Sequence, residues 1–158
     1  MKKIFFIVLF SGLLFAGCKS SANTATENIN SLELVDAQRY SFRATTALPS
    51  GYKNIPLSYG YFLTITKDSI VSFLPYFGRA YSAPMPNDKG GIMFTSTDFK
   101  YVATKKSDSR KITVKTNDLS NNAVFYIDIS KSGYATLSVQ DPNRRQISFY
   151  GTVEDINE

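Results

Sequence analysis

Strict alternation of apolar and polar side chains runs through the C-terminal part of the chain and dictates strands there. Phe125, Ile127 and Ile129 alternate with Val124, Tyr126 and Asp128; Ala135, Leu137 and Val139 alternate with Tyr134, Thr136 and Ser138; Ile147, Phe149 and Val153 alternate with Ser148, Tyr150 and Thr152. A period of two sends successive side chains to opposite faces, so each segment has one face to bury and one for water. Ser130-Lys131-Ser132-Gly133 and Asp141-Pro142-Asn143 separate them, turn sequences short enough to force antiparallel hairpins. The same pattern predicts strands over 39–46, 57–66, 69–74, 91–95, 99–104 and 111–116, with turns at Lys67-Asp68, Thr97-Asp98 and Asp108-Ser109.

Strands joined in sequence order make an antiparallel meander, which must protect its edge strands from pairing with other chains. Closure into a small lipocalin-like barrel achieves this, and a two-sheet β-sandwich is the alternative. Ahead of the strands, Ser31 offers a helix cap to Leu32-Glu33-Leu34-Val35-Asp36-Ala37-Gln38-Arg39, which predicts one short helix. No internal repeat or composition shift suggests more than one domain over 31–158.

The N-terminus has a different character. Lys2 and Lys3 precede an apolar run from Ile4 to Ala16, the pattern of an export signal over residues 1–17. A membrane-spanning helix needs about 20 apolar residues, and Ser11-Gly12 interrupts this run first. Phe15-Ala16-Gly17-Cys18 resembles the bacterial lipobox, with Phe15 where Leu is more usual. Cys18 is the sole cysteine, and acylation with palmitate-like chains consumes a thiol that would otherwise be reactive. Residues 18–30 then read as the lipidated cysteine and a polar tether too poor in apolar groups to fold. Lys19, rather than Asp, follows the cysteine, so the outer membrane is the expected location.

Loss of Lys2 and Lys3 reduces the formal charge from +5 to +3, too little to imply a nucleic-acid partner. The doublets Lys105-Lys106, Arg110-Lys111 and Arg144-Arg145 read as solvated residues of turns and strand ends.

SFLPYFGRAYSAPMP, residues 72–86, is dense in aromatics and prolines. Pro75 removes a ladder donor and so ends the strand from Ser69, and Gly78 allows a bend. Ala83-Pro84-Met85-Pro86 cannot lie in a central strand, and Asn87 to Gly91 is a loop. Tyr76, Phe77, Arg79 and Tyr81 are the candidate contacts for a ligand or partner. The Arg79 guanidinium can stack on a neighbouring ring and present donors to an anion, or can pair with a carboxylate as a structural residue. The aromatics can line a barrel mouth or plug it.

LPYFGRAYSAP at 74–84, GGIMFTS at 90–96, SGYATL at 132–137 and RRQISFYG at 144–151 resemble the domain-of-unknown-function 4251 family of small Gram-negative envelope lipoproteins. The resemblance runs from Leu34 to Val153. It implies a lipid-anchored envelope protein with a lipocalin-like barrel, and no activity, substrate or catalytic residue.

The chain has no histidine, which excludes a Ser-His-Asp triad and every histidine-containing metal site. With Cys18 acylated, thiol catalysis and thiolate metal sites are excluded too. Asp68, Asp98, Asp108 and Asp141 stand in turns, where Asp bonds nearby amides, leaving Asp128 as the one mid-strand carboxylate. No cofactor, metal or enzymatic activity is expected. Two readings remain: a non-catalytic structural or protein-interaction module, its interior filled by Phe42, Phe94, Phe99, Phe125 and Phe149, or a module binding a small apolar or anionic envelope ligand at the barrel mouth.

Overall fold

A computed structural model describes residues 30–81, 90–117 and 122–156. The export segment, Cys18, most of the tether and the stretch Ala83 to Lys89 lie outside the described residues.

The helix α1 spans Ser31–Asp36. Its cap is Asn30 rather than Ser31: Asn30 is extended, its side chain accepts from the Leu32 amide at 3.2 Å, and it donates to Glu33 at 3.0 Å. Ser31 already has a place in the first helical turn, so it cannot be the residue that flanks the helix. The helix also stops earlier than the sequence predicts. Gln38 adopts φ 53, and the amides of Gln38 and Arg39 turn back onto the carbonyls of Val35 and Leu34 at 3.1 and 3.0 Å. That closure reverses the chain directly into the first strand.

Among the described residues ten strands follow: β1 Tyr40–Pro49, β2 Ile55–Pro56, β3 Phe62–Ile65, β4 Ile70–Pro75, β5 Gly91–Ser96, β6 Phe99–Lys105, β7 Ser109–Thr116, β8 Val124–Ser130, β9 Tyr134–Asp141 and β10 Arg144–Glu154. They form one antiparallel sheet in the order β5-β4-β3-β1-β10-β9-β8-β7-β6, with β2 paired to β1. The strand predicted from Leu57 begins only at Phe62, because Gly60 sits at φ 120, a region essentially closed to side-chain-bearing residues.

The long pairing of β1 with β10 brings the two ends of the meander together, from Ser41 with Glu154 to Pro49 with Ile147. The sheet is thereby a nearly closed barrel, as the alternating pattern predicts. Among the described residues the two ends of the strand order, and so the seam of the barrel, are β5 and β6, in mid-sequence. The intervening turn is instead tied to the end of β7, where the Asn117 amide donates to the Asp98 carbonyl at 2.9 Å. Across the interior, the Phe94 ring of β5 reaches Phe125 of β8 with centroids 5.5 Å apart.

Inside, Phe42, Phe125, Phe149, Leu63, Ile127 and Leu137 are completely enclosed. Each side chain of this size stabilises the fold by roughly 1.5–3 kcal/mol through burial. Phe94 and Phe99 pack against this cluster as partly buried members. α1 covers one end of the barrel with Leu32 and Val35, and the chain from Tyr76 to Tyr81 crosses the other.

Candidate functional site

The aromatic segment at the second end is joined to the hairpin between β9 and β10. Ala80 bridges to Arg144, the Tyr81 amide donates to Asn143 at 2.8 Å, and the Arg145 amide donates to Arg79 at 3.0 Å. The Tyr76 hydroxyl is shared between the carbonyls of Arg79 and Arg145, at 2.9 and 3.0 Å. Burial raises the pKa of that phenol. Gly78 permits the arrangement, since a Cβ there would lie 2.8 Å from the Tyr76 hydroxyl.

The cation over the Tyr76 ring is Arg144, its guanidinium carbon 5.2 Å from the centroid, and not Arg79. Arg144 also donates to the Gly91 carbonyl at 2.9 Å and lies 3.6 Å from Asp141. Its side chain is only 12% exposed, so one cation joins the end of β4, the start of β5 and the β9–β10 hairpin. Three of the four stretches that carry the family resemblance thus meet at one point. Tyr76 and Phe77 pack against the core, while Arg79 and Tyr81 are exposed, and the Arg79 guanidinium has no partner among the described residues.

The basic doublets are more engaged than solvated turn residues would be. Lys105 and Arg110 both pair with Asp36 of α1, at 3.0 and 2.9 Å, and Lys111 pairs with Asp128 at 3.1 Å. The Arg110 hydrogen bond, with Lys105 adding to it, holds the Asp36 carboxyl down at about 2 against the opposing effect of burial. Beneath the helix, the Tyr40 and Tyr101 hydroxyls are buried without a well-aligned hydrogen-bond partner. Burial raises both phenols, and each perturbs the other.

A second feature lies on the outside of the barrel, across β1, β10, β9 and β8. Lateral register places Tyr150 beside Thr136, Thr136 beside Asp128, and Tyr134 beside Thr152. A groove of about 800 Å³ opens there, lined by Tyr134, Tyr150, Thr45, Thr136, Thr152 and Asp128, with Ser130 and the Ala135 and Gly151 positions completing it. The register of β1 slips between Ala44 and Thr46, leaving Thr45 as a bulged residue. Gly151 faces that bulge, and a Cβ there would collide with the Arg43 carbonyl. The alternation already places Tyr134 and Tyr150 on the polar face, which is the signal in the sequence that could have pointed to this groove.

Further round, Arg43, Phe62, Phe73 and Met93 continue the row that starts at Tyr134 and Thr152. Arg43 lies over the Tyr59 ring at 5.0 Å and pairs with Glu154 at 3.0 Å. Phe73 stacks with Tyr61 and Phe62 at 5.9 and 6.0 Å. Among the described residues, no cluster of three Asp, Glu, His or Cys side chains could hold a metal ion.

Comparison with curated proteins gives no match. The crystal structure of a family protein from Bacteroides eggerthii is similar in fold, with a TM-score of 0.60 at 10% identity over 82% of this chain and 88% of that one. The model of the family described as a domain of unknown function, DUF4251, matches residues 22–153, and the chain belongs to that family.

Proposed function

We propose that the protein is a lipid-anchored, non-catalytic module of the bacterial cell envelope that makes its contacts from the outside of a self-filled barrel. The observation that carries this reading is the interior itself: Phe42, Phe125 and Phe149 are fully buried, with Phe94 across from Phe125. Side chains of that size occupy the space in which a wider barrel holds a ligand. Structural or protein-interaction work then falls to the outer surface. The anchor is Cys18 in the Phe15-Ala16-Gly17-Cys18 setting, at the outer membrane. Each acyl methylene buried in the bilayer contributes about 0.8 kcal/mol, so several chains on one cysteine hold the domain there durably. The absence of histidine from the sequence supports the non-catalytic half of the reading.

Two measurements test it. Cys18→Ser should shift the protein from the membrane to the soluble fraction and abolish incorporation of labelled palmitate. Native mass spectrometry of that variant, purified gently without residues 1–17, should return the unliganded mass. A stoichiometric small molecule retained until denaturation would overturn the self-filled reading. A retained anion would favour a ligand at the far end, where Arg79 and Tyr81 are exposed.

A further inference from the structure

We infer that the outer groove between Tyr134 and Tyr150 binds a neutral carbohydrate chain. The inference rests on the reading that the barrel works from its outer surface, and it names the chemistry of one contact. Tyr134 is 70% exposed and Tyr150 is 51% exposed, although both belong to central strands that could equally carry Thr or Lys there. Large rings left open to water on such a face signify a partner more often than an isolated exposed residue does.

The groove's other walls decide what the partner is. Thr136 and Thr152 point outward on the same face as the rings, at register positions facing Tyr150 and Tyr134 respectively. Thr45, released from the ladder by the bulge, adds a hydroxyl that donates to the Tyr150 carbonyl at 3.2 Å. None of the lining residues is cationic, and Asp128, the one charged residue among them, is paired with Lys111 at 3.1 Å. That composition is wrong for an anion, which needs fixed positive charge. It is also wrong for an aliphatic chain, which would strip water from hydroxyls and return no hydrogen bonds.

A pyranose satisfies both halves. Its flat C–H face covers a phenol ring, while its equatorial hydroxyls exchange hydrogen bonds with threonines and donate to a carboxylate oxygen. Two rings on adjacent strands suit successive units of a chain better than a single sugar. A groove of about 800 Å³ has room for several such units. The groove is open rather than enclosed, which fits a segment within a polymer.

The test uses the Cys18→Ser chain without residues 1–17, titrated with cellohexaose, maltohexaose, xylohexaose, mannohexaose and chitohexaose. Binding is followed by calorimetry and by amide shifts in ¹⁵N-labelled protein. At least one sugar should bind with shifts centred on 134–136 and 150–152. Tyr134→Ala and Tyr150→Ala should each weaken it about tenfold or more, and Thr136→Val by about threefold, at unchanged melting temperature. Tyr59→Ala, in the other aromatic patch, should bind like the parent.

Silence from every sugar at about 10 mM would overturn the inference, as would shifts confined to the Tyr59–Phe73 patch. Silence combined with an unliganded native mass sinks the carbohydrate site alone and leaves the outward-working module standing. A retained interior ligand sinks that module instead.

Discussion

At one end of the barrel, α1 inserts Leu32 and Val35 and is held from outside by the Asp36 pairs with Lys105 and Arg110. At the other, the chain from Tyr76 to Tyr81 is bonded through its backbone to the β9–β10 hairpin, and Arg144 ties both to β5. The first closure is an apolar plug with charged fastenings; the second is an extension of the sheet. A plug can loosen without breaking the ladder. The second end cannot open unless hydrogen bonds of the sheet are lost with it.

Breaking Arg144 is the severest test of that contrast. Arg144→Leu removes the cation 3.6 Å from the largely buried Asp141 and takes the guanidinium donor from the Gly91 carbonyl. Loss of a charge-assisted hydrogen bond together with a largely buried cation should cost about 2 kcal/mol in urea unfolding. Amide exchange should accelerate at Ile92 and Met93 while α1 stays protected. Equal acceleration at both ends would erase the distinction between them.

Asp36→Asn probes the charged fastening. The folded carboxyl sits at about 2 against an ordinary 3.8, so its contribution is complete above about pH 4 and lost as the pH falls through 2. After allowance for solvent screening of a partly exposed pair, about 1 kcal/mol should be lost at pH 7. Urea midpoints of variant and parent should converge as the pH approaches 2. A gap that persists there would mean that the Asn disturbs packing rather than charge.

The smallest effect is expected beneath the helix. Tyr40→Phe removes a buried hydroxyl that lacks a well-aligned partner, and should leave stability unchanged or raise it by up to about 1 kcal/mol. A clear drop in melting temperature would reveal that the Tyr40–Tyr101 contact holds α1 in place.

Much of the fold was legible because strand alternation is a local property. β7 to β10 alternate residue by residue as the side-chain types require, and short turns between them leave few ways to pair. The helix boundary was harder to read. Asn30 and Ser31 are both good caps, and which one flanks the helix depends on the backbone angle at which the chain arrives. The candidate site was legible in part. Tyr76, Phe77, Arg79 and Tyr81 do gather at a barrel end, but the cation on Tyr76 comes from Arg144, far along the chain. Sequence neighbours suggested Arg79, whereas a folded chain brings strands together laterally.

By itself the sequence determined the strands, the short helix, the antiparallel hairpins and the absence of imidazole chemistry. Each follows from residue type at short spacing. Only the tertiary structure decided that β1 meets β10, that the seam falls between β5 and β6, and that Tyr134, Thr136 and Tyr150 share one groove. Those relations depend on register summed over many pairings, and on a bulge at Thr45 and a glycine at 151 that let two backbones meet closely.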